Sequence, residues 1–146
     1  MKSILFAALA LLSVSLTPIV SADTGYQKQR VAYHVNYSDA KRAIGALRNA
    51  QNHINALGAD NYEIQFVLHG NGVELLRSVA NENPDAAARI DRLRAQGVKF
   101  SICNNTLVGR KIALDELYFA DASDVVPSGV AELGKLQQEG FVYLRP

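Results

Sequence analysis

Hydrophobic positions recur along this chain in two rhythms, one of two residues and one of three to four. Residues 30–36 (RVAYHVN) set Val31, Tyr33 and Val35 on one parity, the repeat of a half-buried strand. Ala40, Ile44, Leu47, Ile54 and Leu57 then follow at helical spacing. They predict a helix of about five turns between an N-cap at Ser38 and a stop at Gly58. Residues 62–69 (YEIQFVLH) form a second strand that runs into His69-Gly70-Asn71-Gly72, and Val73, Leu75, Leu76 and Val79 suggest a short helix after it. Asn83 as N-cap with Pro84 in the first turn opens another helix, carried by Ala87, Ile90 and Leu93 and ended by Gly97. Residues 98–103 (VKFSIC) are a third strand. A brief helix starts at Asn104-Asn105-Thr106, and residues 112–123 lack a clear period. A short strand at 124–126 ends in Pro127-Ser128-Gly129, Val130, Leu133 and Leu136 mark a last helix, and residues 141–144 are the closing strand.

Strands that alternate with helices need crossover connections, and right-handed crossovers lay helices on both faces of a sheet. The expected fold is therefore α/β, a three-layer α/β/α arrangement with a mainly parallel five-stranded sheet. A length of 146 residues suits one such domain, expected over residues 23–146.

Residues 4–20 stand apart. They form an uncharged apolar block behind Lys2, and Val20-Ser21-Ala22 supplies small residues for cleavage after Ala22. Residues 1–22 thus read as a secretory signal peptide, and the mature chain is expected to be periplasmic or secreted, with no membrane association after cleavage. The competing reading, an uncleaved anchor, suffers from the shortness of the block and from Pro18 within it. The 15 basic residues face 14 acidic ones, and loss of Lys2 makes the balance even, so nucleic acid is not an expected partner.

The single cysteine, Cys103, cannot form an internal disulfide. It is buried and inert, joined to another molecule, or reactive. One cysteine and three dispersed histidines (His34, His53, His69) also argue against a metal site, and no cofactor is expected. In open α/β sheets, ligands bind outside the carboxyl ends of the strands, where loops lead into helix amino termini. The unusual polar residues gather at those ends: Asn36 after the first strand, His69 and Gly70 after the second, Cys103, Asn104, Asn105 and Thr106 after the third, Ser128 after the fourth. A cysteine directly before a helix start gains a thiolate from the local positive potential. His69 is the candidate for orienting a ligand or moving a proton. His34 is assigned to the interior or a subunit contact and His53 to a helix surface, neither with a functional role.

Together, Asn36, Val67-Leu68-His69-Gly70, residues 97–107 (GVKFSICNNTL), 125–130 (VVPSGV) and 138–143 (QEGFVY) make the chain resemble the DsrE/DsrF-like sulfur-relay family over nearly all of its mature length. The resemblance implies a small α/β fold, oligomers such as trimers or hexamers, and a cysteine that carries persulfide. Cys103 stands at that cysteine's position. Sulfur donor and acceptor thiols or proteins are then the expected partners, with Asn104, Asn105 and Thr106 supplying donors and His69 and Asn36 lining the opposite wall. The alternative is a module of the same fold that binds a small anion or a partner segment and in which Cys103 only packs.

Overall fold

The computed structural model describes residues 25–146; the expected signal peptide lies outside the described residues. Strands β1 (Gln29–Val35), β2 (Tyr62–Leu68), β3 (Lys99–Cys103), β4 (Val125–Val126) and β5 (Val142–Leu144) form one sheet in the order β4-β3-β2-β1-β5. Every neighbouring pair is parallel. The last strand therefore lies beside the first, with Ala32 opposite Tyr143.

The helices are α1 (Ala40–Leu57), α2 (Ala80–Glu82), α3 (Pro84–Ala95), α4 (Asn104–Arg110) and α5 (Gly129–Gln138). Asp39, not Ser38, caps α1, accepting the backbone N–H of Arg42 at 2.7 Å. The buried stripe of α1 is also shifted from the expected one. Ala43, Ala46, Leu47, Ala50, Ile54 and Leu57 face inward, while Ala40 is exposed and Ile44 half-buried. Alanine supplies half of this face. Asn83 caps α3 as expected, though Ala86 rather than Ala87 is the buried alanine. The predicted short helix after β2 is instead a 3-10 turn (Gly70–Val73), a π-helical turn (Leu75–Val79) and the single turn α2.

The two sheet faces differ in kind. The first carries Val31, Tyr33, Val35, Ile64, Phe66, Leu68, Phe100 and Ile102 into the main apolar core, which α1 and α3 share. Register places Tyr33 beside Phe66 and Phe66 beside Phe100, and their rings stack at 5.1 and 4.9 Å across three strands. Residues 112–123 close this core: Leu117 is buried, the Tyr118 backbone N–H donates to Leu76, and Phe119 alone of the Leu117–Ala120 run turns outward. His53 is not a free surface residue, since its ring bonds the Tyr33 hydroxyl and the Gln29 side chain.

The second face is covered by α5 and has an apolar cluster of only five residues: Ala32, Val67, Leu133, Leu136 and Phe141. The remaining inward positions of β1, β2 and β3 on that side are polar. His34, Gln65 and Ser101, the three buried polar side chains among the described residues, all lie here. Cys103, two residues beyond Ser101, projects to the same side and belongs to neither apolar cluster.

Candidate functional site

The carboxyl ends of β1, β2 and β3 meet the amino-terminal ends of α4 and α5 at Cys103. Cys103 is itself the N-cap of α4, in extended conformation, so its side chain stands where the strand gives way to the helix. Ser128 caps α5 with its hydroxyl, which accepts the Ala131 N–H at 3.4 Å. That brings the first residue of α5, Gly129, directly against the cysteine.

Gly129 is required by space. A Cβ built there would stand 2.9 Å from the His69 Cβ and 3.2 Å from the Cys103 Cβ. Cys103 and His69 are thus neighbours across one glycine, which no larger residue allows without pushing them apart.

Four O–H and N–H groups near the Cys103 sulfur favour its thiolate. Burial pushes its thiol up and is the largest single influence. The Thr106 hydroxyl and the backbone N–H groups of Gly129, Thr106 and Asn105 all pull it down, and the net result lies below an ordinary thiol. The Thr106 hydroxyl is oriented for this. Its oxygen accepts the Gly70 N–H at 2.9 Å, and since an N–H can only donate, the hydroxyl hydrogen is left for the sulfur. Cys103 is only 5% exposed, but what surrounds the sulfur is polar.

His69 continues the site toward β1. Its Nε2 lies 2.7 Å from the Nε2 of His34, and the His34 Nδ1 lies 2.7 Å from the Tyr143 hydroxyl. Burial first, then the charges of His69 and Arg145, hold the His34 pKa down at about 4. His69 is lowered too, by burial and by Arg145. Both imidazoles are therefore neutral at pH 7, and the unfolded chain binds protons that the native site refuses. Unfolding becomes easier as pH falls from about 6.5 toward 4, with an expected loss on the order of 2 kcal/mol from His34. Urea midpoints at pH 7, 6, 5 and 4 test this, and His34→Gln should flatten most of the slope in that window.

The expected site residues divide accordingly. Cys103, His69, Asn105 and Thr106 come together. Gly70 contributes its N–H to Thr106 and adopts a φ of 54°, so its role is to place that hydroxyl rather than to approach an anion. Asn104 is exposed and its N–H is not among the sulfur's donors. Ser128 acts one residue removed, as the cap that positions Gly129. Asn36 accepts two hydrogen bonds from the Arg145 guanidinium, at 2.8 and 3.0 Å, and so anchors the carboxyl-terminal segment.

Sequence reasoning missed Gly129, Tyr143, Arg145 and the role of His34. The parity of β1 carried the signal for His34: it alternates with the core residues Tyr33 and Val35 and so shares a face with His69. Among the described residues no group of His, Cys, Asp and Glu is arranged to hold a metal ion, and no helix is long and apolar enough to cross a membrane.

Comparison with known proteins follows the same lines. A solved structure of a protein of unknown function, MTH1491 from Methanobacterium thermoautotrophicum, is 31% identical and superposes with a TM-score of 0.69. The match covers 82% of this chain and 100% of that one. No curated protein matches. The DsrE/DsrF-like family profile matches residues 19–146, the whole of the sheet, both layers of helices and the cysteine site included. The chain belongs to the DsrE/DsrF-like family.

Proposed function

We propose that this protein is a sulfur-relay subunit in which Cys103 takes up a sulfane sulfur atom and passes it to an acceptor thiol. The observation that supports it most is the place of Cys103, N-cap of α4 and packed against Gly129 at the start of α5, where the Thr106 hydroxyl and neighbouring backbone N–H groups lower its thiol in spite of burial. A structural thiol packed among hydrocarbon has no use for such a cradle, whereas a nucleophilic sulfur does.

The chemistry balances without a cofactor. The Cys103 thiolate attacks the outer sulfur of the donor, forming one S–S bond, while the donor's own bond to that sulfur breaks and its electron pair leaves with sulfite or a thiolate. An acceptor thiolate then attacks the outer sulfur of the persulfide, and Cys103 departs as thiolate. Sulfur changes hands and no external oxidant or reductant takes part.

Export by the leader at residues 1–22, to the periplasm or beyond, completes the reading, with donor and acceptor thiols or proteins as partners. Assembly into a homo-oligomer, a trimer or hexamer, is part of it as well. Val142 and Leu144 are exposed on one side of the edge strand β5, a surface suited to a second copy. The second reading, a binding module with an inert cysteine, is favoured by one observation, the 5% exposure of Cys103.

Intact mass separates the two. After incubation with thiosulfate, polysulfide or glutathione persulfide, the protein should gain one sulfur atom, reversibly by dithiothreitol, and Cys103→Ala should gain none. If every donor leaves the mass of the native protein unchanged, the binding module is correct.

A further inference from the structure

A polar cavity lies between α5 and the sheet, on the face that carries Gln65 and Ser101. Its volume is about 400 Å³, within the range of roughly 300 to 1,000 Å³ usual for small-molecule sites. Gln65 of β2 and Ser101 of β3 line it from the sheet and Glu132 from α5, while the exposed Lys99 and Lys135 stand at its edge. Neither Cys103 nor His69 lines it, so what it binds is independent of the reading of the sulfur.

The hydrogen bonds inside leave two buried groups over. The Gln65 Nε2 donates to the Ser101 Oγ at 2.7 Å and to the Glu132 Oε1 at 3.1 Å. A carboxylate only accepts, so the amide nitrogen must face it, and both amide hydrogens are then used. Ser101 accepts one of them, and its own hydroxyl hydrogen has no acceptor among the described residues. The Gln65 Oε1 likewise has no donor there. Ser101 is 6% exposed and Gln65 9% exposed, on strands whose other inward positions on this face could as well have held valine or leucine. Unpaired polar groups at such depth cost stability and call for a partner.

The charges around them are of both signs. The Glu132 side chain is 11% exposed, and its one ion pair among the described residues, with the Lys135 Nζ, is long at 3.5 Å. Asp124 also lines the cavity, but Arg94 holds both of its carboxylate oxygens, at 2.8 and 3.2 Å, and it has none to offer. Lys99 makes no hydrogen bond or ion pair among the described residues; it acts on Glu63 only through the weaker attraction of separated charges. The free acceptors are thus Gln65 and Glu132, and the free donors are Ser101 and Lys99. An anion alone would leave the acceptors unpaired, and an amine alone would leave the donors so.

We propose that this cavity binds a small zwitterion, a free α-amino acid, with its ammonium group on the Gln65 Oε1 and the Glu132 carboxylate and its carboxylate on the Ser101 hydroxyl and Lys99. Titration of the nitrogen-15-labelled full chain with each common L-amino acid in turn tests it, read on the Gln65 side-chain amide and the Ser101 backbone amide. At least one amino acid should shift both signals saturably at millimolar concentration. Its 2-hydroxy acid, which lacks the ammonium group, and its decarboxylated amine should each bind at least about tenfold more weakly. Glu132→Gln keeps the shape of the side chain and an acceptor for Gln65. It should weaken the amino acid about tenfold and leave the 2-hydroxy acid unchanged, whereas Lys99→Met, at an exposed position, should weaken both. No saturable shift with any amino acid overturns the proposal, and the cavity then holds water alone. A 2-hydroxy acid or an amine that binds as tightly as the amino acid overturns the zwitterion. None of these outcomes bears on sulfur uptake by Cys103, which intact mass decides separately.

Discussion

Gly72→Ala is expected to destabilise the fold by at least about 3 kcal/mol, more than the same change at any other glycine among the described residues. A Cβ at this position would overlap the carbonyl oxygen and carbon of Val35 and lie 2.9 Å from the Asn36 nitrogen. All three are backbone atoms. Nor can they yield cheaply, because the Val35 carbonyl accepts the His69 N–H at 3.3 Å and ends the β1 strand at the site. Relief of the overlap therefore moves His69 or unpairs the strand ends. Gly70→Ala is the matched control. A Cβ there meets nothing within 4 Å, and only the positive φ of 54° is strained, so the expected cost is about 1 kcal/mol. Urea denaturation of both variants measures the difference. A Gly72→Ala midpoint no lower than that of Gly70→Ala contradicts the packing argument.

Thr106→Val should slow alkylation of Cys103 at pH 7 about tenfold, by raising the thiol back toward its ordinary range. Valine keeps the shape of threonine and removes its hydroxyl, so the sulfur loses its side-chain donor while burial, which opposes the thiolate, stays. The Gly70 N–H loses its acceptor in the same stroke, at a cost of about 1 to 3 kcal/mol if water does not replace it. Thr106→Ser retains the hydroxyl and should retain the reactivity. The rate of iodoacetamide labelling against pH reads the shift directly. An unchanged midpoint in Thr106→Val would mean that the three backbone donors suffice, and that the hydroxyl only braces the turn.

Most of the architecture was legible because its strands obey local rules. Val31, Tyr33 and Val35 share one parity, Phe100 and Ile102 alternate against polar neighbours, and Asn83-Pro84 announces a helix start without tertiary context. The misses at α1 have a local cause as well. Ser38 and Asp39 are both good caps, and alanine is too weakly apolar for the inward positions Ala43, Ala46 and Ala50 to stand out against Ile44.

The site was legible only where one strand end supplies it. Cys103 and Thr106 are three residues apart, and His69 and Gly70 are adjacent, so each pair could be read from the chain. The partners of His69 could not. His34 lies 35 residues before it and Tyr143 lies 109 residues beyond His34, and only the position of β5 beside β1 brings the tyrosine in. Strand order is a global property of the packed sheet, and no local pattern encodes it. Gly129 escaped notice for another reason: its importance lies in the atom it lacks, and it stood next to Ser128, whose capping side chain drew the attention.

The sheet is bounded by a strand of two residues on one border and of three on the other. A foreign strand, or an unfolded copy of this chain, would find at either rim too few backbone donors and acceptors to copy, so the protein resists fibril growth through the brevity of its borders rather than through charges placed along them.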